Sequence, residues 1–173
     1  MGDAEMSNNG ETMINSDELL AYINQHLFYN DENGNFYWKV PPVNNVKPMS
    51  LAGSLSDGYR NIKIMNRTYK AHRLIWLLKT GELPYLDIDH INMKRDDNRF
   101  ENLRVATMSQ NRGNMRKQSN NKSGAKGVCW DKRARKWLVH ISTKRLGLFN
   151  SISDAKKCYA KAAREHFGEF VRV

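Results

Sequence analysis

The sequence predicts an α+β protein built from two small modules: a strand, loop, strand and helix, followed by three strands packed on one helix. Three observations predict it. The apolar period switches repeatedly along the 173 residues, from short alternating runs bounded by turn residues to segments spaced i, i+3, i+4, i+7. A short polar stretch, "KQSNNKSGAK", separates the two halves. The charge is also segregated: residues 1–60 carry 3 basic and 8 acidic side chains, whereas residues 104–145 carry 12 basic and one acidic.

Residues 1–15 show no apolar periodicity and read as a disordered tail. "SDELLAYINQHL" offers Ser16 as an N-cap, Asp17 and Glu18 in the first turn, and Leu19, Leu20, Ile23 and Leu27 at helical spacing. "FYNDENGNFYWKV" reads as a hairpin with a type I′ turn at Asn33-Gly34. "GYRNIKIMNRTYKAH" repeats that pattern, with a turn at Asn66-Arg67. The period then changes, because Ala71, Leu74, Ile75 and Leu78 fall on one helical face that Gly81 and Pro84 terminate. "YLDIDHI" and "NLRVAT" read as two short strands joined by a polar loop. "TMSQNRGNMR" then begins a helix, with Thr107 as N-cap and Gln110 completing a capping box. These elements form a first domain over residues 16–116, and the polar stretch 117–125 is a flexible linker to a second domain over 126–173. There, "KGVCWDKRARKWLVHIS" and "KRLGLF" supply three strands. "SDAKKCYAKAAREHFGEF" supplies a helix capped by Ser153, with Ala155, Tyr159, Ala162, Ala163 and Phe167 inward and Gly168 at its end.

Composition bounds the function. Apolar residues make up 40% of the chain and no apolar run is long enough to cross a bilayer, so a soluble globular protein is expected. The acidic, polar N-terminus lacks a signal-peptide pattern, which places the chain in the cytoplasm. Cys129 and Cys158, 29 positions apart and without a C-x-x-C pair, exclude a zinc ribbon and a disulfide framework and read as buried thiols. The net charge of +10 and its concentration after residue 104 point to a polyanion, since each phosphate contacted releases counterions. A membrane surface is disfavoured, because glycines interrupt the basic stretch and it has no helical apolar face.

The stretch "YLDIDHINMKRDDNRFENLRVATMSQNR" concentrates Asp87, Asp89, His90, Asn98, Asn102 and Asn111 within 28 residues. Phosphodiester hydrolysis needs a base for the attacking water and a divalent cation for the charge on the phosphate and the departing oxygen. His90 has the ordinary pKa for such a base. Asp89 offers a carboxylate oxygen and Asn111 an amide oxygen, donors that magnesium or manganese accepts. The loop folds the chain back so that ligands 22 residues apart can meet. Asn102, at the start of the second strand, is placed to bond the histidine segment and orient the imidazole. Adjacent strand residues point to opposite faces, so Asp89 and His90 share a site only if the strand twists, bulges or ends there; otherwise Asp87 competes for the metal.

"DHIN", "DDNRFENLR" and "QNRGN" at these spacings resemble the HNH endonucleases, of the free-standing phage and intron homing type in which asparagine replaces the last histidine. The resemblance implies a ββα-metal site that cuts DNA with one divalent ion, Mg2+ or Mn2+. Asp89 and Asn111 match the metal ligands, His90 the general base, Asn102 the central asparagine that positions it, and Asn98 a loop asparagine of structural role. "GYRNIKI" and "AHRLIWLLKTGELP" resemble the segment upstream of the motif, so the similarity covers about residues 30–116. His72, outside the metal spacing, reads as a packed helix histidine.

"SGAKGVCWDKRARKWLVHI", "LGLF" and "AAREHFGEF" resemble the apetala-two (ethylene-response-factor) DNA-binding domain, which also occurs fused to phage HNH nucleases. That resemblance implies a three-stranded antiparallel sheet in the major groove, with Arg133, Arg135, Trp130 and Trp137 at the matching positions and Lys132, Lys136, Lys144 and Arg145 as further phosphate contacts. A twisted strand pair fits the groove and arginine can pair with guanine, which agrees. Only Thr143, Lys144 and Arg145 stand between "HIS" and "LGLF", fewer than relatives carry, so a short third strand is expected. Trp130 and Trp137 lie seven apart and can stand on opposite faces, which would put at least one in the core. His140 and His166 read as surface or packing residues.

The reading is a site-selective DNA endonuclease of the homing type, acting on double-stranded DNA as a monomer or weak dimer, without a small-molecule cofactor or membrane partner. A DNA-binding regulator with an inactive nuclease motif is the alternative from another class. A basic RNA-binding protein explains the charge but not the quartet Asp89, His90, Asn102 and Asn111.

Overall fold

The computed structural model of the chain describes residues 15–115, 117 and 119–171. It is a mixed helix and strand protein with several small antiparallel sheets, as the α+β expectation requires. The chain divides into two compact units, Met1–Val105 and Ala106–Val173. The expected tail lies, apart from Asn15, outside the described residues.

In the first unit, α1 (Ser16–His26) is capped by Asn15, whose Oδ1 accepts the Glu18 N–H at 2.7 Å, so the cap stands one residue ahead of the expected Ser16. The first hairpin pairs β1 (Leu27–Asn30) with β2 (Asn35–Trp38). Its turn is not the two-residue type I′ expected at Asn33-Gly34. It is a four-residue loop, closed by Gly34 N–H donating to Asn30 O at 2.9 Å. Two-residue turns with positive φ at both positions occur instead at Asp57-Gly58, between β3 (Ser54–Ser56) and β4 (Tyr59–Ile64), and at Met65-Asn66, between β4 and β5 (Arg67–Lys70). Strand β3 was not foreseen, because its three residues are all exposed and carry no apolar alternation.

Helix α2 (Ala71–Thr80) follows β5 directly and ends on Gly81, which takes the left-handed conformation at φ 83°. It buries Leu74, Ile75 and Leu77 against α1, with Leu77 rather than Leu78 fully inside. Leu19 and Ile23 from α1, Phe36 from β2 and Ile62 and Ile64 from β4 complete this core. Each such side chain contributes about 1.5–3 kcal/mol by leaving water. The chain then runs into β6 (Asp87–His90), paired with β7 (Leu103–Ala106).

The second unit begins with α3 (Met108–Asn114), which carries the expected capping box between Thr107 and Gln110. It packs on α4 (Ile152–Phe167) and the short helical turn Gly168–Phe170. Gly113 permits that approach, since a Cβ there would stand 2.7 Å from Phe167 Cγ. The division thus falls after Val105, ahead of the expected linker at 117–125. The described part of that linker is bonded rather than slack: Asn121 Nδ2 and Ser123 Oγ both donate to Ala125 O, at 2.8 and 2.9 Å. Lys126 Nζ donates to Gly113 O and Met115 O, satisfying carbonyls at the end of α3. Three antiparallel strands, β8 (Val128–Asp131), β9 (Lys136–Ile141) and β10 (Lys144–Phe149), order as β10-β9-β8 against α4. Strand β10 is six residues long, not shortened, because the β9–β10 turn needs only Ser142 and Thr143 and a bulge after Arg145 restores the register. Ser151, not Ser153, caps α4, its Oγ accepting the Ser153 N–H at 3.1 Å. Cys129 is exposed and Cys158 half-buried, so neither is the buried thiol expected.

Gly34 has φ 71°, and a Cβ on it would lie 2.3 Å from Arg99 N and 2.5 Å from Asn98 C. Gly34→Ala is therefore expected to cost about 2–4 kcal/mol, combining left-handed strain with an overlap against backbone that cannot turn aside. Gly81→Ala, which meets nothing within 4 Å, should cost only about 1 kcal/mol. Urea midpoints of the two variants check the difference, and equal losses would mean that the first hairpin is not braced on the 98–99 backbone.

Candidate active site

The segment from β6 to β7 is a polar loop that organises itself. Asn and Asp side chains compete with the backbone for hydrogen bonds, and here they win. Asn92 Oδ1 accepts the Lys94 N–H at 2.9 Å, and Asn92 Nδ2 donates to Asp97 Oδ2 at 2.6 Å. The Arg99 guanidinium donates to both oxygens of Asp97 at 2.8 Å and holds that carboxyl well below the usual carboxylate range. Asn102 spans the loop's two ends: its Nδ2 donates to Asn92 Oδ1 and Asp97 O, and its Oδ1 accepts the Asn92 N–H.

This loop delivers Asn98, completely buried, to His90. Asn98 Oδ1 lies 3.0 Å from His90 Nε2. A carbonyl oxygen only accepts, so Nε2 carries the proton and the neutral ring's lone pair sits on Nδ1. Asn98 is itself fixed from behind by Tyr29, whose hydroxyl donates to Asn98 O at 3.2 Å and accepts the Phe100 N–H at 3.1 Å. Burial pushes the Tyr29 hydroxyl up to about 12, which keeps it a donor.

His90 is 5% exposed. Burial lowers its pKa, against the opposing pull of the Asn98 bond and of the Asp89, Asp97 and Asp96 carboxylates. Its ring also meets two others: His72 edge-on with centroids 5.1 Å apart, and Tyr59 at 6.0 Å.

Asp87 is exposed, while Ile88, Asp89 and His90 at the end of β6 are all buried. Asp89 Oδ2 accepts two N–H groups of Arg104 on β7, Nε at 3.0 Å and Nη2 at 2.9 Å. Asp89 is thus a buried carboxylate with its charge balanced by a guanidinium. Among the described residues no three His, Cys, Asp or Glu side chains gather to hold a metal. The Asp89 carboxylate is a hard oxygen donor of the kind magnesium or manganese accepts. Asn111 stands on α3, in the second unit.

The first unit therefore brings His90 and Asn98 together, and pairs the neighbouring Asp89 with Arg104. It assigns the imidazole bond to Asn98, which had been read as structural, while the Asn102 side chain ties the loop together and reaches the histidine segment at the Asn92 N–H. His72, Tyr59 and Arg104 were not foreseen as neighbours of these groups. Only the eight-residue offset from His90 to Asn98 within one polar loop was available as a signal.

In the second unit, Val128, Val139 and Ile141 face α4 in the core, so alternation turns Cys129, Asp131, Lys136, Leu138 and His140 outward. Arg145, opposite His140, joins them. Lys132, Arg133 and Arg135 occupy the β8–β9 turn, where Asp131 Oδ1 accepts the Arg133 and Ala134 N–H groups. Lys144 begins β10 opposite Ile141. Trp130 and Trp137 do not stand on opposite faces: they are direct cross-strand partners on the helix side, with ring centroids 5.1 Å apart. Trp137 packs on the core and Trp130 is 48% exposed.

Residues 69–112, the stretch from β5 into α3, match the family described as HNH endonuclease. Over 79 residues the chain is 34% identical to Protein 3.8 of Escherichia phage T7, a similarity covering 43% of this chain and 65% of that protein. The chain thus spans just under two thirds of the curated relative it matches. No solved structure matches it. Among the described residues no helix is long and apolar enough to cross a membrane.

The matched stretch takes in His72, which is 4% exposed. Burial first, then the charges of His90, Lys70 and Arg73, lower its pKa from 6.5 to about 3. Because the folded value lies below the unfolded one, the unfolded chain binds the extra proton, and stability falls as pH drops below about 6.5. Between pH 7 and pH 5 this single ring is expected to remove about 2 kcal/mol. Urea unfolding of the wild type and of His72→Phe at both pH values checks it: the variant should show the smaller loss, and equal losses would mean a ring that titrates alike in both states.

Proposed function

We propose that residues 69–112, which match the HNH endonuclease family, make this chain a DNA endonuclease that hydrolyses phosphodiester bonds with one divalent ion and His90 as general base. The observation that carries the reading is the buried imidazole at the end of β6, held at Nε2 by Asn98, with the buried Asp89 preceding it in the strand. With its proton fixed on Nε2, His90 accepts the proton of the attacking water at Nδ1, and its lowered pKa keeps that nitrogen unprotonated near neutral pH. Asn98 and the loop behind it hold the ring in that tautomer, as an orienting group must.

Asp89 and Asn111 would hold the ion, Asn111 on the strength of its place in the sequence pattern. When bound, Mg2+ or Mn2+ supplies charge neutralisation at the phosphate and the departing oxygen. Arg104, bonded twice to Asp89 Oδ2, holds that carboxylate in place. The second unit, with 16 basic and 4 acidic side chains over residues 106–173, supplies affinity for the duplex as an apetala-two-like module. Lys136 and Arg145 on its outer face, Lys132, Arg133 and Arg135 at its hairpin tip, and Lys144 beside them are the contacts we assign, together with the exposed edge of Trp130 backed by Trp137. Site selection of the homing type, in a phage-infected host cytoplasm, fits a cutting unit joined to a basic binding unit.

Conversion of supercoiled plasmid to open circle tests this. Nicking should require magnesium or manganese and stop with EDTA. His90→Ala should abolish it, and Asn98→Ala should slow it on the order of 10²-fold, while gel shifts on the same DNA stay unchanged. Binding without nicking of any DNA under either metal would leave a DNA-binding regulator.

A further inference from the structure

The first unit holds a surface that this hydrolytic reading does not use. Residues 1–105 are close to electrically balanced, with 12 basic and 14 acidic side chains, yet Gly58–Arg73 contains five basic residues and no acidic one. That segment is β4, β5 and the start of α2. Ile62 and Ile64 of β4 face the core, so alternation turns Tyr59 and Lys63 the other way. The register sets Ser56 beside Tyr59 and Thr68 beside Lys63, with Lys70 opposite Asn61 on the same face. The face is polar and cationic; Ser56, Lys63, Thr68 and Lys70 are exposed.

At its end, two cations converge on one ring. Lys70 Nζ lies 4.4 Å and the Arg95 guanidinium 4.9 Å from the Tyr59 centroid. Arg95 is held there by donating to Asp57 O at 2.9 Å. Among the described residues neither cation makes an ion pair. An exposed cation–π contact is worth only about 0.5–1 kcal/mol, little to set against bringing two like charges together. A phosphate would neutralise both. The same Tyr59 ring touches the rings of His72 and His90, at 5.6 and 6.0 Å between centroids.

We propose that the outer face of β3–β4–β5, with Lys70 and Arg95 gathered over Tyr59, takes the phosphodiester backbone of the DNA strand that His90 cuts. The proposal rests on the hydrolytic reading for the role of His90 and on the charge and geometry of the sheet for the binding. A strand laid along this face brings its backbone to the aromatic edge of the catalytic histidine, which is the positioning a single-base mechanism needs. The contacts are to phosphate and carry register, not sequence.

The affinity of the full chain for duplex DNA, measured in EDTA over a range of salt concentrations, tests it without any cutting. Each phosphate contact contributes about 0.9 to the slope of log affinity against log salt. Lys63→Gln/Lys70→Gln and Arg95→Gln should each flatten that slope by about 0.9 or more with an unchanged circular dichroism spectrum, and Lys63→Arg/Lys70→Arg should restore it. Lys79→Gln, on α2 and ion-paired with Asp31, should leave it unchanged. Slopes equal to wild type, or an equal effect of Lys79→Gln, overturn the proposal. A slope that flattens for RNA but not for DNA overturns it as well. Failure of the wild type to nick with metal present would sink the hydrolytic reading, while the slopes would still decide the surface.

Discussion

The site in the first unit depends on one hydrogen bond, from His90 Nε2 to the fully buried Oδ1 of Asn98. A buried imidazole without a partner costs the desolvation of its polar atoms, and a rotating one has no fixed basic nitrogen. The bond removes both problems, because it satisfies one nitrogen and leaves the lone pair of the neutral ring on the other. Its partner is a side chain on a loop, so the loop must be as rigid as a strand. Asp97, Asn92, Asn102 and Arg99 provide that rigidity by closing the loop on itself with side-chain bonds in place of a backbone ladder.

The same requirement reaches the N-terminal hairpin. Tyr29 grips the backbone on both sides of Arg99, and Gly34 allows the β1–β2 turn to lie against Asn98 and Arg99 without a Cβ between them. A hairpin far from the motif in sequence is therefore part of what holds the histidine. Its own core residues, Phe36 and Trp38, anchor it to α1 and α2. Both supports meet at Asn98, where the loop bonds in front and the hairpin support behind act on one residue.

This explains what the sequence made legible and what it did not. Periodicity located α2, the capping box located α3, and the short apolar and acidic alternation of "YLDIDHI" located the strand carrying Asp89 and His90. Caps slipped by one or two residues where two oxygen-bearing side chains stood together, Asn15 with Ser16 and Ser151 with Ser153, since only backbone conformation distinguishes them. The Asn33-Gly34 turn was misread because the glycine there answers a tertiary contact and not a local turn type. Asn98 and Asn102 are the same residue type in the same loop, and only the folded loop shows which of them meets the imidazole. His72 comes from a helix 18 positions upstream, with no spacing rule to connect it to His90.

The division of charge completes the argument. With 14 acidic side chains against 12 basic ones, residues 1–105 cannot hold a polyanion by net charge, while residues 106–173 carry an excess of 12 positive charges. Affinity from the whole field of a basic unit falls with salt and is indifferent to where along the duplex it acts. Cleavage at one bond demands the opposite: a local, directional hold on a single phosphate next to the base. The Gly58–Arg73 strip is positive within an otherwise balanced unit and touches His90 through Tyr59, so the hold we propose there would be local. On the proposed function, separating the two tasks would let strong binding coexist with selective cutting, because the residues that set residence on DNA would differ from those that align the reacting phosphate.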